Sequence, residues 1–491
     1  MGLRFNAATV IGSGLLIGGI FWQGSVPTAH LKTPMDFGAV GDGLVDDTVA
    51  VQNAINATQN GGSLYFPGGH KYLVRSLHAT GEVHWLGPGG SWLNDRAADG
   101  AVIIQGNNAA EDLVTLTNAA YSNISGVAFD GNKLNQAKPL NGIRLINCEF
   151  TRFDNIYVTS CSGHGILLEN INTVQTSDEI DLVDCYSVLN GLDGVHYDFS
   201  LPGGVFAPGD CEIIGGHYDF NTGAGISLHV SAYTSINGAN VLSNGAAGIS
   251  AIYCTGLNIT GNMVRNNRAQ GIVLGNGPSF TQCTNCSISG NQVHLNSREG
   301  IGKYSNIDVG FGTTNTRIIG NYCGDVNPSP TYPISSAYGI WLHDGARQTL
   351  VVGNTCPSSE NFKGGFRAEA DATYVSTTNT GIPDFDTETA KFANQKITSN
   401  GANLGTIHVG SAKDVWVGIT GGKGGVIYLP PAESLSSGYS MVIKDEGGKA
   451  TQHPISVDGN GTTIEGSLVS KIETNFGSLR LRFDGKAWWK W

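Results

Sequence analysis

One phrase recurs along this chain. The stretch "SISGNQVHLNSREGIG" (residues 287–302) is echoed in "NITGNMVRNNRAQGIV" (258–273), "SINGANVLSNGAAGIS" (235–250) and "RIIGNYCGD" (317–325). The shared skeleton is a β-branched residue, a Gly, often an Asn, a Val, a further Asn, and then Gly-Ile. Marking the Gly before each apolar run gives Gly142, Gly165, Gly194, Gly225, Gly248, Gly271, Gly300, Gly339 and Gly365, spaced by 23, 29, 31, 23, 23, 29, 39 and 26 residues. A period in the twenties with some longer intervals predicts a solenoid whose extra residues are loops on one side. Each unit is too short to bury its own apolar face, so units must stack.

Within a unit the alternation has period two, as in a strand. The first residue after each marker is Ile143, Ile166, Val195, Ile226, Ile249, Ile272, Ile301, Ile340 or Phe366, and the third is Leu145, Leu168, Tyr197, Leu228, Ala251, Leu274, Lys303 or Leu342. These columns point inward. No helical stretch interrupts the units, so the strands form parallel sheets, coil upon coil. The expected fold is all-β, a right-handed parallel β-helix. Gly turns the corners, and Asn262, Asn291, Asn321 and Asn354, each following a Gly, predict a ladder of stacked carboxamides.

The ends differ from the middle. "DFGAVGDGLVDDTVAVQNAIN" (36–56) reads as a short strand and a turn leading into a helix that starts at Asp46 or Asp47 and caps the stack. After about residue 370 the repeat dissolves, and "GVIYLPPAESLSSGYSMVIKDEGG" onward has the texture of a small β-sandwich. The resulting division is an apolar anchoring segment at 1–32, a β-helix entry with a capping helix at 33–110, coils at 111–370, a linker at 371–400 and a C-terminal β-domain at 401–491, for trimerisation or glycan binding. The apolar run from Ala7 to Trp22 is broken by four Gly and reads as an anchor to a partner, with a signal peptide as the alternative. Trp488, Trp489 and Trp491 suggest packing against a neighbouring subunit.

Composition closes off other classes. Gly makes up 70 of 491 residues, but with 16 Pro and no triplet period the chain is not collagen-like. The net charge of −12 is scattered, with no basic stripe, so nucleic acid is not an expected partner. All nine Cys fall in the repeat region and read as small buried residues. Cys283 and Cys286 form a lone CxxC without partners for zinc. No metal and no cofactor is expected.

The segment at residues 36–56 resembles the entry motif of the pectate-lyase/polygalacturonase superfamily of β-helix proteins, and the resemblance covers residues 33–370. The tail "MVIKDEGG…ISVDGNGTTIEG…FGSLRLRFDGKAWWKW" resembles the C-terminal β-domain common in bacteriophage tailspikes and tail fibres. Together these imply a tailspike in the virion, acting at the host surface. It would be a homotrimer joined to phage tail or baseplate proteins by its N-terminal segment, binding and depolymerising a bacterial surface polysaccharide. The alternatives are an exported polysaccharide lyase or hydrolase and a non-enzymatic, adhesive tail component. The Gly-His-Gly of polygalacturonases is echoed at "SGHGI" (162–166), but without the paired Asp, so His164 reads as a turn histidine.

Stacking also places candidate chemistry. Equivalent residues on neighbouring coils lie about 4.8 Å apart. The second and fourth residues after each marker face outward, so Glu169, Asp198 and His229 form one line, with His196 beside Asp198 and Arg144 two coils earlier. Carboxylates at that spacing suit retaining glycoside hydrolysis, with Glu169 and Asp198 as nucleophile and acid/base. His196 and His229 would then contact substrate or, on a uronate, act as the base of an eliminative lyase. Arg144, Trp341 and His343 are candidate substrate contacts, Trp341 as a sugar platform. The insertions at 174–185 and 201–211 are expected to wall a groove.

Overall fold

Residues one winding apart do lie over one another. Ile143, Ile166, Val195, Ile226, Ile249 and Ile272 pair in sequence, parallel and in register, and all are fully buried. The computed structural model describes residues 31–491 except 90–99, 171–176, 199–208, 276–281, 327, 329–330, 332, 358–359, 370–371, 383–384, 387–394, 400–404, 407–413, 422–424, 436 and 491. The anchoring segment read at residues 1–32 thus lies almost wholly outside the described residues.

Among the described residues the β-helix has three sides. One is an eleven-stranded sheet running from Leu77–Ala79 to Gly364–Ala368, here called the site sheet. The second has thirteen strands, from Ser63–Tyr65 to Phe385–Asp386, and only its last pair is antiparallel. The third is broken into a six-stranded part ending at Tyr186–Val188 and a three-stranded part starting at Asn240–Leu242, linked by single bridges through His217. This is a right-handed parallel β-helix, filled by one apolar core from Ala39 to Ile382.

The markers are Gly because neighbouring coils close on them. A Cβ at Gly165 would lie 2.0 Å from Ser187 Oγ, and one at Gly194 2.6 Å from the Gly225 carbonyl. One marker is corrected by the structure. Ile272 pairs with Ile307, not with Ile301, which is 57% exposed. Gly300 sits in a turn where Ser297 Oγ donates to the Gly300 carbonyl (2.6 Å) and accepts from Tyr304 N–H (2.9 Å). Asn306 occupies the marker position instead, and Lys303 is not an inward residue.

The expected Asn ladder is present. Nδ2 of Asn262, Asn291, Asn321 and Asn354 donates to the next Asn at 2.9, 2.9, 2.9 and 3.0 Å, ending on Asn379. A second ladder climbs another corner through Asn190, Asn221, Asn244, Asn267 and Asn296. The insertion read at 174–185 is mostly not a loop, because Asp178–Val183 is a strand of the second sheet. The nine Cys are buried and unpaired.

Helix α1 (Thr48–Thr58) covers the first coil with Val51, Ala54 and Ile55. Asp47 precedes it, and its carboxylate accepts the Val40 and Gly41 N–H groups at 2.8 and 2.9 Å, which fixes the turn of the entry motif. No helix among the described residues is long and apolar enough to cross a membrane.

The C-terminal strands form a five-stranded and a four-stranded sheet around a separate core from Val417 to Trp488. Their first strands still pair parallel and the later ones antiparallel. Trp488 is fully buried in that core, so the subunit contact read for it is replaced by packing within its own domain, while Trp489 is half exposed.

Candidate active site

The outward columns of the site sheet assemble as their register dictates. Glu169 pairs with Asp198 and Asp198 with His229, and in the neighbouring column Arg144 pairs with Leu167, Leu167 with His196, and His196 with Ser227. The two carboxylates and His229 therefore share one line, about 4.8 Å per step. His229 is followed by Val230 at φ 58°, a left-handed conformation that a β-branched residue adopts only at a cost. Tyr253 repeats it on the next coil, so the two strands kink together just past the line and then pair on in register to Ala232 and Thr255.

The two carboxylates are not equivalent. Glu169 Oε1 accepts Arg144 Nε–H at 2.7 Å and a second N–H from the same guanidinium, which also stands 3.8 Å from Asp112. Glu169 is thus committed to a forked ion pair, held between coils. His196 has a different partner, with its Nδ1 2.7 Å from Asp193 Oδ2. A carboxylate on Nδ1 fixes the tautomer and leaves Nε2 to take or give a proton. Asp193 is itself anchored, its Oδ1 accepting the Ala224 N–H at 2.6 Å.

His164 joins this group. Its ring stacks on His196 at 4.4 Å, and its Nδ1 lies 3.5 Å from Asp193 Oδ2 and accepts the Asp193 N–H at 3.2 Å. Burial, then the neighbouring His196 charge, push His164 down to about 4, outweighing Asp193. His229 lies on the other side of His196, 6.0 Å between centroids. His164, Asp193 and His196 offer three ligand atoms within 4.8 Å of one another, enough to hold a metal ion. The near-parallel His164 and His196 rings, 25° apart, suit stacking better than joint in-plane coordination.

Beside Arg144 opens a groove of about 520 Å³ lined among others by His78, Lys138, Asn141 and Leu167. The remaining candidates, Trp341 and His343, share the outward columns but lie five and four strands beyond His196 and His229. Trp341 is not a bare platform. His343 stacks on it at 4.3 Å, the Arg367 guanidinium lies 4.6 Å from its ring, and its Nε1–H donates to Glu369 at 3.1 Å. The expected wall at 201–208 and residues 174–176 lie outside the described residues.

Sequence reasoning left out Asp193 and set His164 aside. Both immediately precede a marker Gly, on successive coils, and that shared position was the available signal.

The family model described as rhamnogalacturonase A/epimerase, pectate lyase-like, matches residues 33–316, more than half of the chain. The chain belongs to this pectate-lyase-like family. Among its relatives, a capsule K30/K69-specific depolymerase of Klebsiella phage K64-1 is 32% identical over 176 residues, covering 30% of this chain and 22% of that protein. The mannuronan C5-epimerase AlgE2 of Azotobacter vinelandii is 28% identical over 199 residues, 35% of this chain and 18% of that one. The chain therefore spans about a fifth of the length of these relatives. In fold, the pectate-lyase-like body resembles the A-module of Azotobacter vinelandii epimerase AlgE6, with TM-score 0.54 and 19% identity over 72% of this chain and 100% of that one. It also resembles the active domain of tailspike protein 2 of bacteriophage CBA120, with TM-score 0.50 and 13% identity over 75% of this chain and 54% of that one.

Proposed function

We propose that this protein is a phage tailspike that binds and cleaves an acidic bacterial surface polysaccharide, with His196 as the proton-transfer group. One observation carries the reading: His196, oriented by Asp193, stands beside Asp198 on the outward face of the site sheet, one coil from His229 and one from Glu169. Similarity to a capsule depolymerase and a tailspike supports the substrate class and a place on the virion tail. A trimer, and attachment through the N-terminal segment, belong to the same proposal.

The chemistry follows from who is engaged. Two-carboxylate hydrolysis needs Glu169 to act on the substrate, but Arg144 holds it. An oriented imidazole suits removal of the proton next to a uronate carboxylate. His196 Nε2 takes the C5 proton, the electron pair closes the C4–C5 double bond, the C4–O bond breaks, and the leaving oxygen is protonated, with His229 in line for that step. Glu169 and Arg144 position the group, and Lys138 in the groove offers charge an acidic chain needs on a protein of net charge −12. Similarity to a C5-epimerase, whose reaction inverts that same carbon, fits a site built for C5 proton removal.

The test is incubation with purified acidic capsular polysaccharides, beginning with the K30/K69 type. The expected products are shorter chains with ultraviolet-absorbing unsaturated ends, lost by roughly 100-fold or more in His196→Ala. Shorter chains without that absorbance would reassign the reaction to hydrolysis by Glu169 and Asp198. Inverted sugars at unchanged length would make it an epimerase. No change in any capsule tested, despite binding, would sink the enzyme reading.

A further inference from the structure

The terminal sheets present two outer faces of different chemistry. Beside the four-stranded sheet the exposed residues Leu468 and Val469 are apolar. On the five-stranded sheet Arg480 and Arg482 point outward, alternating with Leu479, Leu481 and Phe483, which fill the core. Trp488 enters that core, so Trp489, the next residue, points out and is 51% exposed. The register sets Trp489 directly opposite Arg482, about 5 Å apart at Cβ. The indole is held in place. Its Nε1–H donates to Asp484 Oδ2 at 2.7 Å, and Asp484 Oδ1 accepts the Lys486 and Ala487 N–H groups, both at 2.8 Å. These bonds occupy only the edge of the ring. Among the described residues no ring or cation stands against its faces, unlike those of Trp341, and no carboxylate pairs with Arg482. The charge of the chain is also uneven. Residues 440–491 hold 7 Lys and Arg against 6 Asp and Glu, leaving 21 and 34 of the chain's 28 and 40 to residues 1–439. The field that repels a polyanion elsewhere is therefore absent here.

We propose that the Trp489–Arg482 face is a second glycan-binding site, separate from the His196 site, which takes an acidic sugar of the same surface polysaccharide. It rests on the proposed function for its ligand class but not for its location. The sugar ring stacks on the open face of Trp489, and its carboxylate meets the unpaired Arg482 guanidinium. Asp484 lies at the ring's edge, its charge already met by three N–H donors. A second copy of the chain fits this face less well, because charged residues are scarce at the centre of protein interfaces and the exposed Leu468 and Val469 lie at the other sheet.

The experiment measures binding by calorimetry on the full chain in a His196→Ala background, so that the polymer is not cut. The probes are acidic capsular polysaccharides, K30/K69 type first, and the same polymers with their carboxylates reduced to alcohols. Trp489→Ala is expected to raise the Kd for both forms about tenfold, the loss of one anchoring contact, and Trp489→Phe to keep most of the affinity. Arg482→Ala is expected to raise the Kd about tenfold for the acidic form alone. Arg482 is exposed, so its variant keeps the test valid if Trp489→Ala misfolds. Unchanged affinity in Arg482→Ala overturns the site, as does equal weakening of acidic and reduced polymers, and as does a panel in which no polymer binds. A lower sedimentation mass in either variant would make the face a subunit contact and overturn it too. Cleavage by the parent is scored separately, so binding that needs Trp489 and Arg482 without cleavage would support this site while sinking the enzyme reading.

Discussion

At the scale of single residues, His164 is a place where the fold resists a proton. Its value falls to about 4 through burial and the charge of His196, whereas in the unfolded chain it titrates near 6.5. Between those values the unfolded state binds more protons, so stability is full above about pH 6.5 and falls as the pH drops toward 4. The expected loss from this group is on the order of 2–3 kcal/mol, and His164→Asn should flatten the stability curve over that window in denaturant titrations. A parent and variant with parallel curves would contradict it. Asp193 acts through His196, so Asp193→Asn should lower kcat by about ten- to a hundredfold with KM nearly unchanged, since it touches no substrate. The line of Glu169, Asp198 and His229 was legible because parity after a marker Gly fixes which way a strand residue faces. His164 and Asp193 were not, because they sit at a corner before the marker, where parity says nothing. The Arg144–Glu169 pair was equally invisible, since it depends on side-chain direction rather than register.

At the scale of elements, the corners hold the coils in step. Each buried ladder Asn donates to the coil above and accepts from the coil below, and Asn291 also donates to the Ile259 carbonyl. Asn291→Leu removes both sides of this exchange and strands its neighbours' polar groups, which costs about 2–4 kcal/mol. Thermal unfolding should fall accordingly, and a shift within one degree would show the ladder to be decoration. A sharper comparison sets two glycines against each other. Gly290 is left-handed with nothing near its Cβ, so Gly290→Ala should cost only about 1 kcal/mol. Gly310→Ala drives a methyl into the Gly275 carbonyl and should cost several times more, or prevent folding. Most strands of the site sheet were readable from the marker Gly, and the one misplaced marker has a plain cause. Asn306 stands in for Gly on the coil of Ile307, so the nearby Gly300 of a turn took its place in the count. The strand Asp178–Val183 was misread as part of a loop because its acidic residues face outward and break the apolar run.

At the scale of the whole molecule, two cores do not share residues. One runs from Ala39 to Ile382 inside the coils and the other from Val417 to Trp488 inside the terminal sheets. The change of texture after residue 370 does not fall on the boundary between them: of the residues read as a linker at 371–400, Tyr374–Thr377 and Phe385–Asp386 are strands of the second sheet and Gln395–Ser399 is a strand of the five-stranded sheet. Cooperativity follows buried contacts, so units with separate cores are expected to melt separately. Calorimetry of the full chain should resolve a larger transition for the β-helix and a smaller one for the terminal sheets. Trp488→Ala empties the centre of the second core, at about 3–5 kcal/mol, and should lower the smaller transition by about 10 °C or more while leaving the larger one in place. Ile226→Ala, buried among the coils, should do the reverse. If both substitutions moved a single transition together, the two units would be one cooperative body. The acid-sensitive step assigned to His164 would then report on the entire chain rather than on the coils alone.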